Sequence, residues 1–153
     1  MDKLVISVAE QNLTKIKELV KQGCDLNAPY NEHGWTPFTL AVAQKFQVSF
    51  INELIKLGGD INQPIKDGRT PIMLSCLSRK CPNVLKLLIK YEADVNTQDE
   101  NGYTALMQIL TLNKASEKRE FIKTLIDNGA DLTKLKNIQG KTALDILIDL
   151  IMK

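Results

Sequence analysis

The sequence predicts an all-α fold, a solenoid of about five helix-turn-helix units, each introduced by a β-turn finger. Three features predict it: a Gly-x-Thr tetrad that recurs at a regular interval, a second motif in step with the first, and an apolar helical stripe between them. A period of about 20 to 50 residues is typical of proteins whose units stack on their neighbours. We expect a single domain with approximate units at residues 1–33, 34–67, 68–101, 102–139 and 140–153.

The tetrad Gly-x-Thr-Pro/Ala occurs four times, and its glycines lie 34, 34 and 38 residues apart. Threonine before proline is typical of a helix start, because Thr accepts a hydrogen bond from a free N–H group and proline has no N–H to satisfy. We therefore expect the first helix of each unit to begin directly after the threonine. The four copies start at Gly34, Gly68, Gly102 and Gly140.

The second motif is Gly/Glu-x-Asp followed by an apolar residue and Asn or Thr, at residues 23–27, 58–62, 92–96 and 129–133. Its first residue, usually Gly, is suited to the left-handed backbone that often ends a helix. Apolar residues precede it by seven, four and three positions, which is the spacing of one helix face. This stripe predicts a second helix in four units and comprises Ile16, Leu19, Val20, Ile51, Leu54, Ile55, Leu85, Leu88, Ile89, Ile122, Leu125 and Ile126.

The first and last units depart from the pattern. Residues 1–33 lack the threonine box, but they have the length and apolar spacing of a repeat, with Asn12 as the expected cap of the second helix. We interpret them as an N-terminal capping repeat. Residues 140–153 complete a first helix only, with Asp145 and Asp149 among six aliphatic residues. The favoured interpretation is a cap with most of its surface buried, and the alternative is that it offers this surface to another chain.

These motifs resemble those of the ankyrin-repeat family, whose signature Thr-Pro-Leu-His-x-Ala recurs about every 33 residues. The resemblance covers nearly the whole chain and is closest at residues 34–41 and 67–72. It implies an ankyrin solenoid that binds another protein. The signature histidine is replaced in every unit, which leaves open what makes its usual hydrogen bond. The replacing residues are Thr39, Met73, Met107 and Asp145.

The C-terminal half departs further from this signature. Ile109 and Leu147 stand where Ala41 and Ser75 provide a small residue, so we expect less regular packing of the helices there. The fourth unit is also longer, with a polar insertion at residues 113–118 that we expect to form a surface loop.

Composition excludes several classes of function. The chain has 153 residues, of which 44% are apolar and 25% charged, and its net charge is only +2. No unit carries more than two net charges of either sign, so we expect neither a nucleic-acid partner nor a membrane surface. We find no apolar run of transmembrane length and no signal region after Met1. Three cysteines that cannot all pair in one chain favour a reduced, cytoplasmic protein.

Residues suited to chemistry are sparse. The single histidine, His33, is interpreted as a turn residue, with an interface contact as the alternative. Cys76 is expected in the core, and Cys81, beside Pro82 at a helix start, is the cysteine for which a reactive thiol is the alternative. Four aspartates recur once per unit on separate layers, so we interpret them as turn-forming carboxylates rather than metal ligands. They are Asp25, Asp60, Asp94 and Asp131. We predict no catalytic residue, cofactor or metal site.

The partner-binding residues are those that the ankyrin resemblance implies. In that family, contacts tend to come from the residue between Gly and Thr and from the residue before Gly. In this chain the first set is Trp35, Arg69, Tyr103 and Lys141, and the second set is His33, Asp67, Asn101 and Gln139. Trp, Arg and Tyr are the residue types most enriched at interface hot spots. Gln44 and Ser78 on the first helices would form a polar flank. The alternative is that Trp35 shields a seam between layers and that Arg69 is a solvated charge.

The function that the sequence favours is a non-catalytic protein–protein interaction module. Its concave face of turn tips and first helices would bind a protein whose identity the sequence does not reveal. A monomer is favoured, with self-association through residues 140–153 as the alternative. Two narrower hypotheses are an inhibitor or immunity-type protein that neutralises a toxin or enzyme, and a host-directed effector domain. An enzyme that uses Cys81 is the least favoured.

Overall fold

A computed structural model describes residues 3–44, 46–77, 82–112 and 115–152, without the side chains of residues 115–117. Within these ranges, helices joined by turns make up the chain, and no strand is found. The predicted all-α repeat architecture is therefore confirmed. The helices are α1 Lys3–Ala9, α2 Leu13–Lys21, α3 Pro37–Ala43, α4 Val48–Lys56, α5 Pro71–Leu77, α6 Pro82–Lys90, α7 Ala105–Thr111, α8 Ala115–Asp127 and α9 Ala143–Ile151.

The helices form two parallel rows. The first helices α1, α3, α5, α7 and α9 pack one against the next in this order, and the second helices α4, α6 and α8 do the same. Each second helix also contacts the first helix of its own unit. One apolar core runs from Leu4 in α1 to Ile146 in α9. Because each unit touches only its neighbours, this arrangement extends the core in one direction.

The first helices begin at the predicted threonines. The Thr36 hydroxyl accepts the N–H of Thr39, and the Thr39 hydroxyl accepts the N–H of Thr36 at 2.8 Å. Thr142 and Asp145 make the same reciprocal pair at the start of α9. Thr39 and Asp145 both stand where the family has its signature histidine. In these two units, a capping box therefore supplies a hydrogen bond in place of the one that the histidine usually makes. The other two replacements, Met73 and Met107, are fully buried.

The second helices end where the second motif predicts. Gly23, Gly58 and Gly129 have φ angles of 94°, 99° and 86°, and Glu92 adopts the same left-handed conformation at 65°. Asn12 accepts a hydrogen bond from Lys15 N–H and caps α2, as expected.

The fourth unit differs from the prediction in two ways. The apolar stripe is less completely buried, because Ile122 is half-buried where Ile51 and Leu85 are fully buried, and Ile126 is 40% exposed. Helix α8 has 13 residues and begins at Ala115, so the loop predicted for 113–118 is wrong from 115 onward, and residues 113 and 114 lie outside the described ranges. Lys118 Nζ donates to the Leu110 carbonyl at 3.1 Å, which ties this extension to α7.

Ile109 and Leu147, the two bulky residues at the small-residue position, differ in how they affect helix packing. Ile109 is fully buried in α7, which still packs against both α5 and α9, so its size does not open the stack. Leu147 is half-buried at the edge of a groove between α8 and α9. Helix α9 buries only Ala143 and Ile146. The predicted cap with most of its surface buried is therefore wrong for this helix.

Candidate interaction surface

Four β-turn fingers connect the units and carry the predicted contact residues. In each finger, the carbonyl of the residue between Gly and Thr accepts a hydrogen bond from an N–H across the turn. In three fingers, the Asn or Asp that lies three residues before the glycine holds the backbone as well with its side chain. Asn31 Oδ1, for example, accepts the N–H groups of His33 and Trp35. These bonds fix the positions from which the contact residues project. The four carbonyl acceptors belong to Trp35, Arg69, Tyr103 and Lys141.

Neighbouring fingers are joined through the residues that precede the glycines. The carbonyls of His33, Asp67 and Asn101 accept hydrogen bonds at 3.0 Å from backbone N–H groups of the next finger. The side chains of His33 and Asn101 remain exposed. These residues therefore join the row of fingers through their backbone carbonyls.

The second finger is built differently, because the buried Ile65 stands where the other fingers carry Asn or Asp. Asp67 replaces the missing turn-holding side chain. Its carboxylate accepts a hydrogen bond from the backbone N–H of Arg69 and another from Arg69 Nε at 2.7 Å. Partial burial opposes ionisation of Asp67, but the hydrogen bonds from Arg69 outweigh it and lower the pKa of this carboxyl. Asp67 and Arg69 thus form one prearranged ion pair rather than two independent contacts.

Trp35 lies between two hollows of this face. It is half-buried and packs against the edge of the core. On one side, a hollow of about 360 Å³ is lined by Trp35 with His33, Asp67 and Arg69 and is completed by Ile65, Lys66 and Glu100. On the other side, a hollow of about 250 Å³ is lined by Trp35 with Tyr30, Asn31, Leu40, Ala43 and Gln44. The structure therefore gathers four of the sequence-predicted residues around Trp35.

The remaining predicted residues lie outside these two hollows. Tyr103 is half-buried on the third finger and packs against the core, like Trp35. Lys141 Nζ donates to Asp149 of α9, and this hydrogen bond is the main reason that the pKa of Lys141 is raised. Gln139 is exposed on the fourth finger. Ser78 lies outside the described residues.

Gln108 belongs to this region although sequence reasoning missed it. It lies on α7, four residues after the helix-capping Thr104, where the other units place Leu40, Leu74 and Ile146. Gln108 is buried, and its amide donates to Asp99 Oδ2 at 2.8 Å. Within the described ranges its Oε1 has no hydrogen-bond partner. A polar residue in an otherwise apolar register was the signal that could have identified it.

The structure also bears on the residues that were considered as catalytic or metal-binding groups. All four recurring aspartates accept the N–H two residues onward, which confirms their interpretation as turn-forming carboxylates. Cys76 is buried as expected, and burial raises the pKa of its thiol to about 12. Cys81 lies outside the described ranges. Among the residues that the structure describes, no cluster of three or more His, Cys, Asp or Glu side chains could hold a metal ion. No helix in that part of the chain is both long and apolar enough to span a bilayer.

A comparison with protein families agrees with this architecture. A family model described as ankyrin repeats (3 copies) matches residues 41–135, which is more than half of the chain. The chain belongs to the ankyrin-repeat family. Ankyrin repeats generally mediate protein–protein interaction, and the family is generally non-catalytic. The fingers and paired helices described above are thus the β-turns and helices of ankyrin repeats.

Individual relatives are much longer than this ankyrin-repeat chain. Ankyrin repeat and SAM domain-containing protein 6 of Rattus norvegicus is 39% identical over 83 residues, which is 54% of this chain and 9% of that protein. Putative ankyrin repeat protein L91 of Acanthamoeba polyphaga mimivirus is 26% identical over 89% of this chain and 22% of its own length. Ankyrin repeat and SOCS box protein 6 of Pongo abelii is 28% identical over 96% of this chain and 35% of its own length. The chain therefore spans about a third or less of each of these relatives.

Proposed function

We propose that this ankyrin-repeat chain is a non-catalytic module that binds a protein partner on the concave face of its finger tips and first helices. The position of Trp35, the single tryptophan of the chain, carries the proposal. Its half-buried ring separates two hollows, and Arg69 lines one of them. A large aromatic residue next to an arginine, partly protected from water, is typical of an interface hot spot.

The two hollows favour a partner with two kinds of side chain. The hollow beside Gln44 includes Leu40 and Ala43, which suits an apolar group packed against Trp35. The other hollow presents Lys66 and the Asp67–Arg69 pair, which suits a polar or charged group. Because Asp67 already orients Arg69, binding loses less side-chain entropy than it would with a free arginine. Tyr103 and Lys141 extend the contact along the next two fingers.

The experiment is affinity capture from the source organism, followed by a measured Kd for the captured protein. We expect Trp35→Ala and Tyr103→Ala each to weaken binding by about 1 kcal/mol or more. The matched control is Tyr91→Ala, because Tyr91 is a half-buried aromatic residue at the end of α6 whose hydroxyl donates to Asn52. All three variants remove packed aromatic surface, so the urea midpoint of each variant is measured alongside. Unchanged binding by both finger variants would overturn the proposal.

The narrower hypotheses are separated by the identity of the captured protein. An inhibitor or immunity-type role predicts a toxin or enzyme whose activity falls stoichiometrically as this chain is added. A host-directed effector role predicts that the partner is captured from a lysate of a host organism and not from that of the source organism. We also propose a cytoplasmic location, which cell fractionation with an antibody against the chain tests directly.

A further inference from the structure

The C-terminal end of the solenoid contains an open apolar groove. It lies between α8 and α9, has a volume of about 740 Å³, and is lined by Leu110, Leu112, Lys118, Arg119, Ile122, Lys123, Ile126, Asp127, Leu147 and Leu150. In an earlier layer the corresponding place is filled by a helix, since α6 packs both on α4 and on its own first helix α5. No tenth helix follows α9 within the described ranges. The groove therefore has the place, and the apolar lining, that a helix occupies elsewhere in the stack.

Helix α9 also presents an apolar stripe to solvent. Leu144, Ile148 and Ile151 recur at i, i+4 and i+7, and their exposed fractions are 39%, 49% and 74%. Leu150 and Ile126 at the edge of the groove are also exposed. Together these side chains expose roughly 440 Å², which lies within the range of about 300 to 600 Å² for the largest patch of a typical monomer, a patch that is often functional. This end of the molecule thus offers both an apolar helix and a groove that fits one.

The charges of the helix and of the groove are complementary. The α8 wall contributes Lys118, Arg119 and Lys123 to the groove against the single acid Asp127. Glu120 of the same helix is bound instead to Lys86 of the preceding unit. Helix α9 carries Asp145 and Asp149, and residues 143–152 include no Lys or Arg. Within the chain, Lys123 is paired with Asp127 and Asp149 with Lys141, so the complementarity that remains is between Lys118 and Arg119 on the groove and the net negative charge of α9.

We propose that two copies of this chain associate through this end, with α9 of each copy lying in the α8–α9 groove of the other. A twofold axis makes each contact twice, because both copies supply the acidic helix and the cationic groove. The pair would bury roughly 900 Å² in total, which is below the standard size of a stable interface and fits a weak association. The contact leaves the Trp35 face of both copies free, so the dimer would hold a protein partner at two sites.

Sedimentation velocity of the full chain, from about 1 μM to about 500 μM, tests the proposal. We expect a monomer–dimer equilibrium and at least a tenfold rise of the dimer Kd in Ile148→Asp, because a carboxylate would enter the apolar contact. The matched control is Ile6→Asp, since Ile6 is 37% exposed on α1 at the opposite end of the row. The control should keep the dimer Kd within about twofold of the wild type. Helical circular dichroism and the urea midpoint establish that both variants fold.

A charge exchange then tests the groove itself. Arg119→Glu should raise the dimer Kd at least fivefold, and adding Asp149→Lys in the same chain should restore part of this loss, because the twofold axis pairs the two new charges between copies. A wild-type chain that is monomeric at every concentration would overturn the proposal. An equal effect of Ile6→Asp and Ile148→Asp would also overturn it, because the contact would then not be specific to this end. If the chain is monomeric and Ile148→Asp abolishes capture of a partner, the groove holds a helix of that partner instead.

Discussion

The side-chain oxygen of Asn27 accepts a hydrogen bond from the backbone N–H of Asp60 at 2.8 Å, although these residues belong to different units. The amide of Asn27 also donates to the Gly58 carbonyl at 2.8 Å. Asn27 thus clamps the C-terminal end of α4 to the turn that contains Asn27. The backbone groups that it binds have no helical partners of their own.

Replacing an asparagine that links two units should lower the free energy of unfolding in proportion to the number of hydrogen bonds that are lost. Asn27→Ala removes two bonds between units, so we expect a loss of about 2 kcal/mol in the free energy of unfolding. Asn62 makes one such bond, to Asp94 N–H at 3.1 Å, so Asn62→Ala should cost about 1 kcal/mol. Urea denaturation followed by circular dichroism measures both values. Equal losses in the two variants would contradict the clamp.

This clamp shows where sequence reasoning reaches its limit. The period, the helix starts at Thr36 and Thr142 and the helix ends at Gly23 and Gly58 could be predicted, because each depends on backbone chemistry within a few residues. The second motif placed Asn27 correctly in the chain, but nothing in it indicated a bond to residues more than 30 positions away. Periodicity likewise did not indicate how much of α9 would remain exposed, because burial at an end depends on what packs there.

Only part of the candidate surface could likewise be predicted from the sequence. The tetrad placed Trp35 and Arg69 on neighbouring fingers, and in the structure both residues line one hollow. The coupling of Asp67 to Arg69 was not predicted, because it depends on the replacement of a turn-forming side chain by Ile65. Gln108 was missed because its partner Asp99 comes from a finger rather than from the same helix.

Alanine at Gly68 should be far more damaging than alanine at Gly140. Both glycines have a left-handed backbone, with φ angles of 82° and 72°, which costs alanine about 1 kcal/mol at either site. A Cβ on Gly68 would also lie 2.8 Å from Glu100 N in the next finger, whereas a Cβ on Gly140 would meet nothing within 4 Å. We expect Gly68→Ala to lose about 3 kcal/mol and Gly140→Ala about 1 kcal/mol of unfolding free energy in urea titrations. Similar losses would show that the fingers are not tightly interlocked.

Cys76 should resist alkylation in the folded chain. It is fully buried, and burial raises the pKa of its thiol to about 12, so at pH 8 the reactive thiolate is almost absent. Cys24 is half-buried and accessible to the reagent. Peptide mass spectrometry after iodoacetamide treatment should show Cys24 modified at least about a hundredfold faster, with the difference lost in denaturing urea. Rapid modification of Cys76 under native conditions would mean that the α5 layer opens readily.

The cap of α9 should make stability depend on pH in a way that the cap of α3 does not. Hydrogen bonds from the Thr142 backbone and then from its hydroxyl lower the pKa of Asp145 in the folded state. A lowered folded pKa contributes stability that is complete above the unfolded value of about 4 and is lost as the pH falls through the folded value. The loss of unfolding free energy in Asp145→Asn should therefore be largest at pH 7 and shrink toward pH 3. Thr39 occupies the same capping position with a hydroxyl, so Thr39→Ala should cost the same at every pH. Urea titrations of both variants and the wild type between pH 7 and pH 3 measure this difference, and a cost of Asp145→Asn that stays constant would refute a charged cap.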